Sequence, residues 1–317
     1  MRSLLLILAL AAASLSSAGA PKSKLAVVVV GDGGSTVGNL PVTIRQYTVA
    51  GVQVGSDLSL SNIGGRNLTA SFGETSEGGL QISGDKRYLM LAGYDLPVRD
   101  GAFSPTASPR VIARMALNGT IELSQAFFPS AGDGVRAVYS PDGNSYWTTG
   151  GDMGIYNGTF TTTPSQVLPE PFSTRSITAF GGIYYFTGSG AFEGLNGAGS
   201  WDGQNYSPLF ETPIGSIRDI YMIDANTLYV SGASGICKMT KSGGVWSVTY
   251  SLTGQNVGHF TVDGDKIYGA SNNGSLLLAG RDNGSGFDAW TTIATAAANT
   301  RFRGVELMPK LQSIGRN

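Results

Sequence analysis

The chain has 317 residues and a net charge of −1, and 14% of its residues are charged, against roughly 25% in an average globular protein. This near-neutral balance excludes the basic footprint of a nucleic-acid-binding protein, and no basic amphipathic stretch points to a membrane surface. The single cysteine, Cys237, excludes an intramolecular disulfide, and we expect it to be a small buried core residue. The single histidine, His259, excludes a histidine-cluster metal site.

The first residues have the pattern of a secretory signal peptide. Arg2 supplies one positive charge, an apolar run covers residues 4–13, and small residues precede Pro21. The run is too short to span a bilayer. We therefore predict a signal peptide over residues 1–20, a single domain over 21–309 and a short polar tail over 310–317. The expected location is extracellular, or periplasmic or at the cell surface in a bacterium, without membrane insertion after cleavage.

Beyond the signal segment, one pattern recurs along the chain. A short apolar run, a turn rich in Gly, Asp or Asn, and a second run rich in aromatic and β-branched residues together predict a β-hairpin. The first runs begin at Gly78, Arg136, Arg175, Arg218, Gly258 and Arg303. A second hairpin follows most copies, which gives about four strands per unit. Units spaced roughly 40 to 60 residues apart are typical of β-propeller blades.

The last copy predicts how the ring closes. Arg303–Leu307 has no second run after it, and Lys24–Gly31 is an apolar strand that supplies the missing half. We therefore predict an all-β propeller of six blades, closed by its N-terminal strand, and closure removes the exposed sheet edges that invite aggregation. A seventh blade has room within residues 61–79 or 95–109.

Nine turns define the predicted hairpins. Those of the first hairpins are Gly84-Asp85, Asp142-Gly143, Gly181-Gly182, Asp224-Ala225-Asn226 and Asp263-Gly264. Those of the second hairpins are Ala50-Gly51, Asn118-Gly119, Asn157-Gly158 and Gly243-Gly244.

One copy resembles a known family. Ser140–Gly151, SPDGNSYWTTGG, resembles the Ser-Pro-Asp-Gly turn of secreted β-propeller proteins with TolB-type repeats, and the other copies match it loosely. The resemblance extends over the chain as an architecture. It implies a scaffold without implying an activity, because propellers serve both as binding modules and as enzymes.

The candidate site lies at the first two positions of the repeat. Four of the six copies begin with arginine, at Arg136, Arg175, Arg218 and Arg303. Equivalent positions of a propeller lie at one rim, so we predict a partial ring of guanidinium groups that suits a carboxylate, sulfate or phosphate. The alternative is that each arginine clips neighbouring blades together. The second positions add Asp219 and His259 as candidate ligand-binding residues near the ring's centre, with a structural role as the alternative for His259.

Three enzyme classes are weaker alternatives. A sialidase-like glycosidase needs an Asp box, and Ser140–Trp147 departs from it at Asn144. A calcium-dependent lactonase needs converging oxygen ligands, for which Asp219 and Glu306 are the central candidates, so calcium stays open as a cofactor. A quinone-dependent dehydrogenase would rely on His259 as its base. We assign no catalytic residue, no metal ligand and no other cofactor.

The sequence thus favours a secreted, non-catalytic scaffold that binds a carbohydrate or an extracellular protein through one rim. A propeller hydrolase and a structural component of an extracellular matrix are the alternatives. Six Asn-x-Ser/Thr sequons are candidate glycosylation sites in a secreted protein: Asn67, Asn118, Asn157, Asn205, Asn273 and Asn283. Four of them are Asn-Gly pairs, which are also common hairpin turns.

Overall fold

The computed structural model describes residues 23–98, 103–129, 134–168, 173–188, 197–202 and 206–308. These residues form 25 β-strands and one short 3-10 turn, Pro105–Ala107. The predicted signal peptide and polar tail lie outside the described residues. Within the described ranges, no helix is long and apolar enough to cross a membrane.

The strands are short and follow one another closely along the chain. In chain order they are β1 Lys24–Val30, β2 Asn39–Thr48, β3 Gln53–Ser59, β4 Thr69–Ser71, β5 Leu80–Ile82, β6 Tyr88–Tyr94, β7 Arg110–Ala116, β8 Ile121–Leu123, β9 Val135–Tyr139, β10 Ser145–Gly150, β11 Ile155–Thr159, β12 Ser165–Leu168, β13 Thr174–Phe180, β14 Ile183–Gly188, β15 Gly197–Trp201, β16 Tyr206–Glu211, β17 Ile217–Asp224, β18 Thr227–Gly232, β19 Gly235–Ser242, β20 Val245–Thr253, β21 Val257–Asp263, β22 Lys266–Ser271, β23 Leu276–Arg281, β24 Thr291–Thr295 and β25 Arg301–Leu307.

Antiparallel pairing gathers these strands into four-stranded units. Four units are consecutive in the chain, β9–β12, β13–β16, β17–β20 and β21–β24. A fifth unit pairs β5, β6, β7 and β8, and a sixth pairs β25, β1, β2 and β3. The short strand β4 pairs with both β2 and β6 and so joins these two units in one sheet.

The inner strand of each unit contacts the inner strand of the next. The contacts run from β5 through β9, β13, β17 and β21 to β25, and β25 contacts β5 again. The four-stranded units therefore close into a ring around a central channel, which confirms the predicted all-β propeller architecture.

The N-terminal strand closes the ring as predicted. β1 pairs with β2 on one side and with β25 on the other, where Val27 lies opposite Val305. Leu25–Val30 is buried throughout, as expected of a central strand covered on both faces. Residues 61–79, all of which are described, contain one strand, β4, and the described parts of 95–109 contain the 3-10 turn but no strand.

All the predicted hairpin turns connect paired strands except one, and Asp224 and Asp263 are themselves the last residues of β17 and β21. Asn157 and Gly158 were predicted to form a turn, and this prediction is wrong, because both lie within β11, where Asn157 faces Trp147. The Asn157 side-chain amide donates a hydrogen bond to the Tyr146 carbonyl at 3.1 Å. Gly158 serves a packing purpose instead, because a Cβ atom there would lie 2.8 Å from Pro164.

The third position of every repeat is apolar and buried between units. These residues are Leu80, Val138, Ile177, Ile220, Phe260 and Val305. Because side chains alternate along a strand, the second and fourth positions of the same inner strands point to the opposite face of each sheet. Cys237 is also buried in an inter-unit core, as expected, and burial raises the pKa of its thiol to about 11.

Candidate functional site

The channel has two different mouths because all inner strands run in the same direction. The end where the inner strands begin carries Arg136, Arg175 and Arg218, and we call it the arginine mouth. The end where they pass into the first hairpin turns we call the turn mouth, and the turns around Gly84, Gly181 and Gly264 share one cavity there.

Between the mouths, the channel holds a buried polar cluster centred on Asp219. Its Oδ1 accepts hydrogen bonds from the Ser176 hydroxyl and from its neighbour's backbone N–H. Its Oδ2 accepts the Phe260 N–H at 3.1 Å and lies 3.4 Å from Nδ1 of His259. Asp219 and His259 are thus brought together near the ring's centre, where the sequence predicted them, and their contacts are with the protein itself.

His259 fills space that a glycine leaves open. A Cβ atom on Gly79 would lie 3.0 Å from Cε1 of the imidazole ring. Gly79 and His259 occupy the same column of the repeat, so a small residue in one unit accommodates a large one in another. The histidine is only 4% exposed, which fits a packed position.

Glu306 is the second buried carboxyl group of the channel. Its Oε1 accepts hydrogen bonds from the Thr261 hydroxyl at 2.6 Å and from the Leu307 N–H at 2.8 Å. Burial raises the pKa of Glu306 to about 7, and the nearby charge of Asp219 adds to this rise. This side chain therefore retains its proton at pH values where an exposed glutamate has lost it.

The turn mouth opens into a cavity of about 590 Å³, which we call the funnel. Its lining includes, from floor to rim, Gln81, Asp219, Glu306, Tyr139, Tyr221, Phe180 and Ile223. The rim residues Phe180 and Ile223 are 36% and 41% exposed, and Ile183 beside them is 37% exposed. The funnel thus combines a polar floor with an aromatic and aliphatic rim. The sequence singled out Asp219 and Glu306, but the funnel as a whole was not predicted, because its residues come from different inner strands that are far apart in the sequence.

The arginine mouth brings together three of the four predicted arginines. Arg136 donates through Nη1 to the Ser173 hydroxyl at 3.0 Å and to the Thr174 carbonyl at 3.1 Å, in the next unit. Burial, and after it the positive charges of Arg218 and Arg136, together lower the pKa of Arg175 to about 10. All three side chains are partly buried.

The fourth arginine, Arg303, is enclosed by a different part of the chain. It is 3% exposed and donates through Nη2 to the Phe72 carbonyl at 2.9 Å. Phe72 begins a segment, residues 72–77, that we call the clasp loop. The same loop reaches Arg218, whose Nη1 donates to the Ser76 hydroxyl at 2.8 Å. Two of the predicted arginines therefore hold this loop.

The clasp loop ends at a buried carboxyl group that was not predicted from the sequence. Glu77 accepts hydrogen bonds from the Tyr94 hydroxyl at 2.5 Å and from the Ser71 N–H at 3.0 Å. Burial raises the pKa of Glu77 to about 7. These bonds tie the end of the loop to β4 and β6.

The sequons occupy different environments. Asn118, Asn273 and Asn283 are exposed, whereas Asn67 and Asn157 are half-buried. Asn205 lies outside the described residues. Among the residues that the structure describes, no three His, Cys, Asp or Glu side chains are grouped so that they could hold a metal ion.

No protein-family model and no curated protein matches the sequence. Solved structures do match the fold. A chain of the nidogen/laminin complex aligns with 90% of this chain and 98% of its own length, with a TM-score of 0.60 and 12% identity. A protein from Bacteroides fragilis NCTC 9343, provisionally assigned as a 6-phosphogluconolactonase, aligns with 90% of this chain and 98% of its own length. The TM-score is 0.50 and the identity 12%. At this identity the likeness defines the fold class, a β-propeller, and nothing finer.

Proposed function

We propose that this protein is a secreted, non-catalytic binding scaffold that captures an extracellular protein partner at its turn mouth. The observation that carries this proposal is the funnel with its exposed apolar rim. Large apolar side chains such as Phe180 and Ile223 cost free energy when they face water, and a concave pocket beside them is a typical anchoring site for a partner's side chain.

The polar floor of the funnel supports a binding role over a catalytic one. The carboxylate oxygens of Asp219 and Glu306 accept hydrogen bonds from neighbouring backbone N–H groups and hydroxyls. Groups tied in this way are positioned to hold the inner strands in register. The nidogen/laminin chain supports the same proposal, because it has this fold within a complex of two proteins.

The secreted location rests on the sequence of the first twenty residues and on the resemblance of Ser140–Gly151 to TolB-type repeats of secreted propellers. A single cysteine is compatible with an oxidising compartment, because the ring is closed by β1 and needs no disulfide.

The test compares rim variants with a matched control. The protein from Pro21 onward would be crosslinked to proteins of the extracellular medium and membrane surface, then purified and its partners quantified. Phe180→Asp and Ile223→Asp place a charge on the funnel rim, whereas Val248→Asp places one at an about equally exposed position of the outer strand β20. We expect the wild type and the control variant to recover the same partner in equal amounts. Each rim variant should recover about tenfold less of that partner, or lower still.

Two results would contradict the proposal. One is a partner set that the rim variants leave unchanged, and the other is an equal loss with the control variant. Binding of a neutral sugar that only the rim variants abolish would assign the funnel to a carbohydrate instead.

A hydrolase is the second candidate, and one observation favours it. Glu306 has a pKa of about 7 and lines the same cavity as Asp219, and a carboxyl group poised near neutral pH can act as a general acid or base. A panel of lactones and glycosides, assayed with calcium and with a chelator, tests this candidate. Turnover by the wild type that Glu306→Gln abolishes would favour the enzyme over the scaffold.

A further inference from the structure

The fold separates the sequons that are presented at the surface from those that are not. Thr69, whose hydroxyl belongs to the Asn67 sequon, is fully buried. The side-chain nitrogen of Asn157 already donates to the Tyr146 carbonyl within β11, at 3.1 Å. The folded chain therefore presents neither the hydroxyl of the first sequon nor the amide nitrogen of the second. The other described sequons have exposed asparagines in loops, at Asn118, Asn273 and Asn283.

Asn118 lies at the tip of the hairpin between β7 and β8. Its Oδ1 accepts the Thr120 N–H at 3.0 Å, and Gly119 has a φ of +87°, which the tight turn requires. Asn118 and Thr120 are both exposed. The two residue types that define a sequon are thus both at the surface of one turn.

Asn118 also lines a cavity of about 270 Å³ between the fifth and sixth units, which we call the side groove. Its floor is apolar and buried and is formed by Ile44, Leu89 and Met115. Its sides are apolar and half-buried and are formed by Leu58, Leu117 and Met308. Apolar surface of this kind gains free energy when a ligand removes it from water.

We propose that Asn118 is an N-glycosylation site and that the first sugar of its glycan, an N-acetylglucosamine, packs into the side groove. This inference rests on the secreted location proposed above. Because the asparagine that carries the sugar lines the groove, the sugar is held beside the groove at a high effective concentration. The C–H face of the sugar ring suits the apolar floor, and its polar groups suit the amide of Gln46 and the hydroxyl of Ser56 in the same lining.

The covalent step is a glycosyl transfer from a lipid-linked oligosaccharide diphosphate, presented by the transferase of the secretory pathway. The side-chain nitrogen of Asn118 forms a bond to the anomeric carbon of the donor. The bond between that carbon and the diphosphate oxygen breaks, and the lipid diphosphate leaves with the electron pair. The nitrogen gives up one proton to a base of the transferase, and nothing is oxidised or reduced.

The first experiment measures whether Asn118 is modified. The full chain is produced in a eukaryotic secretory host, and the peptide that contains Asn118 is weighed by mass spectrometry before and after enzymatic deglycosylation. In a parallel preparation a signal peptide of the host replaces residues 1–20. We expect a glycan on Asn118 that Thr120→Ser retains and Thr120→Ala abolishes.

The two preparations distinguish failure of the site from failure of the proposed location. An unmodified Asn118 in protein that has passed through the secretory pathway would overturn the site. A chain that enters the pathway only with the signal peptide of the host, and is then modified at Asn118, would contradict the proposed secretion and leave the site supported.

The second experiment measures whether the sugar occupies the side groove. Thr120→Ala should lower the midpoint of thermal unfolding of the glycosylated protein by about 2–4 °C. It should leave unchanged the midpoint of protein made in a bacterial host that adds no such glycan. Leu117→Gln should keep the glycan and reduce the shift that Thr120→Ala causes, because it replaces part of the apolar surface.

Ser285→Ala is the matched control. It removes the exposed sequon of Asn283, which is outside the lining of the side groove, and it should leave the midpoint of both preparations unchanged. A glycan on Asn118 whose loss leaves the midpoint unchanged, or an equal shift from Ser285→Ala, would show that the sugar does not occupy the groove.

Discussion

Two buried glutamates contribute to the way in which the stability of the folded protein depends on pH. Glu77 and Glu306 are 2% and 6% exposed, and burial raises the pKa of each to about 7. A glutamate in the unfolded chain titrates near 4.3. Between these values the folded protein holds protons that the unfolded chain has released. The two protonated glutamates therefore add fully to the free energy of unfolding below about pH 4.3, and this contribution is lost as the pH rises through about 7.

Glu306→Gln tests this linkage. The amide oxygen can still accept hydrogen bonds from Thr261 and Leu307, but the side chain no longer titrates. We expect the fall in unfolding free energy between about pH 5 and about pH 7.5 to shrink by about 1–3 kcal/mol. Urea denaturation across this range measures it, with the exposed Glu211→Gln as the control. A pH profile identical to that of the wild type would show that Glu306 is not a titrating buried group.

At the scale of single residues, the positions of side chains in regular strands can be predicted from the sequence, whereas the contacts made by loops cannot. The apolar third column and the shared end of Arg136, Arg175 and Arg218 follow from strand periodicity, because equivalent positions of a repeat lie at equivalent places in a ring. The clasp loop follows no period. Its contacts with Arg218 and Arg303 depend on the path of a segment more than 140 residues earlier in the chain.

Among the described strands, β1 is the one that closes the ring. It joins β25, the last described strand, to β2, and its residues Leu25–Val30 are buried on both faces. Val28→Asp would bury a charge with no partner in this strand. We expect it to lower the unfolding free energy by about 3–5 kcal/mol or to prevent folding, whereas Val52→Asp, at a site 61% exposed, should change it by less than about 0.5 kcal/mol.

Urea denaturation followed by circular dichroism compares the two variants. A Val28→Asp protein about as stable as the Val52→Asp protein would mean that β1 is not needed to hold the ring closed.

The strands that were predicted and those that were missed differ in composition. Lys24–Val30 is a continuous apolar run, which indicates a strand buried on both faces. β15, Gly197–Trp201, is instead rich in small residues and shows no alternation of apolar and polar side chains, so the periodic pattern is absent. The Asn157-Gly158 prediction was wrong because a pair that favours a turn locally is held in β11 by pairing and close packing.

At the scale of the whole molecule, closure brings the two ends of the described chain together. The Met308 N–H donates a hydrogen bond to the Lys24 carbonyl at 2.8 Å. In a closed ring of similar units, each unit packs between two neighbours. This holds wherever along the ring the two chain ends are placed, provided that they lie in a loop between strands. The stability of the ring should therefore depend on the pairing of β1 with β25 and β2, and not on the place where the chain is interrupted.

Circular permutation tests this property of the ring. Met308 would be joined to Ser23 by a short glycine-serine linker, and new ends would be placed between Gly243 and Gly244, in an open turn where a Cβ atom added to either glycine would meet no other atom within 4 Å. We expect this permutant to unfold cooperatively within about 5 °C of the parent, because it keeps every strand pair. A second permutant opened between Val27 and Val28 divides β1 and should fail to fold. If both permutants folded equally well, an intact β1 would not be required. If neither folded, the contact between Lys24 and Met308 would not be the closure of the ring.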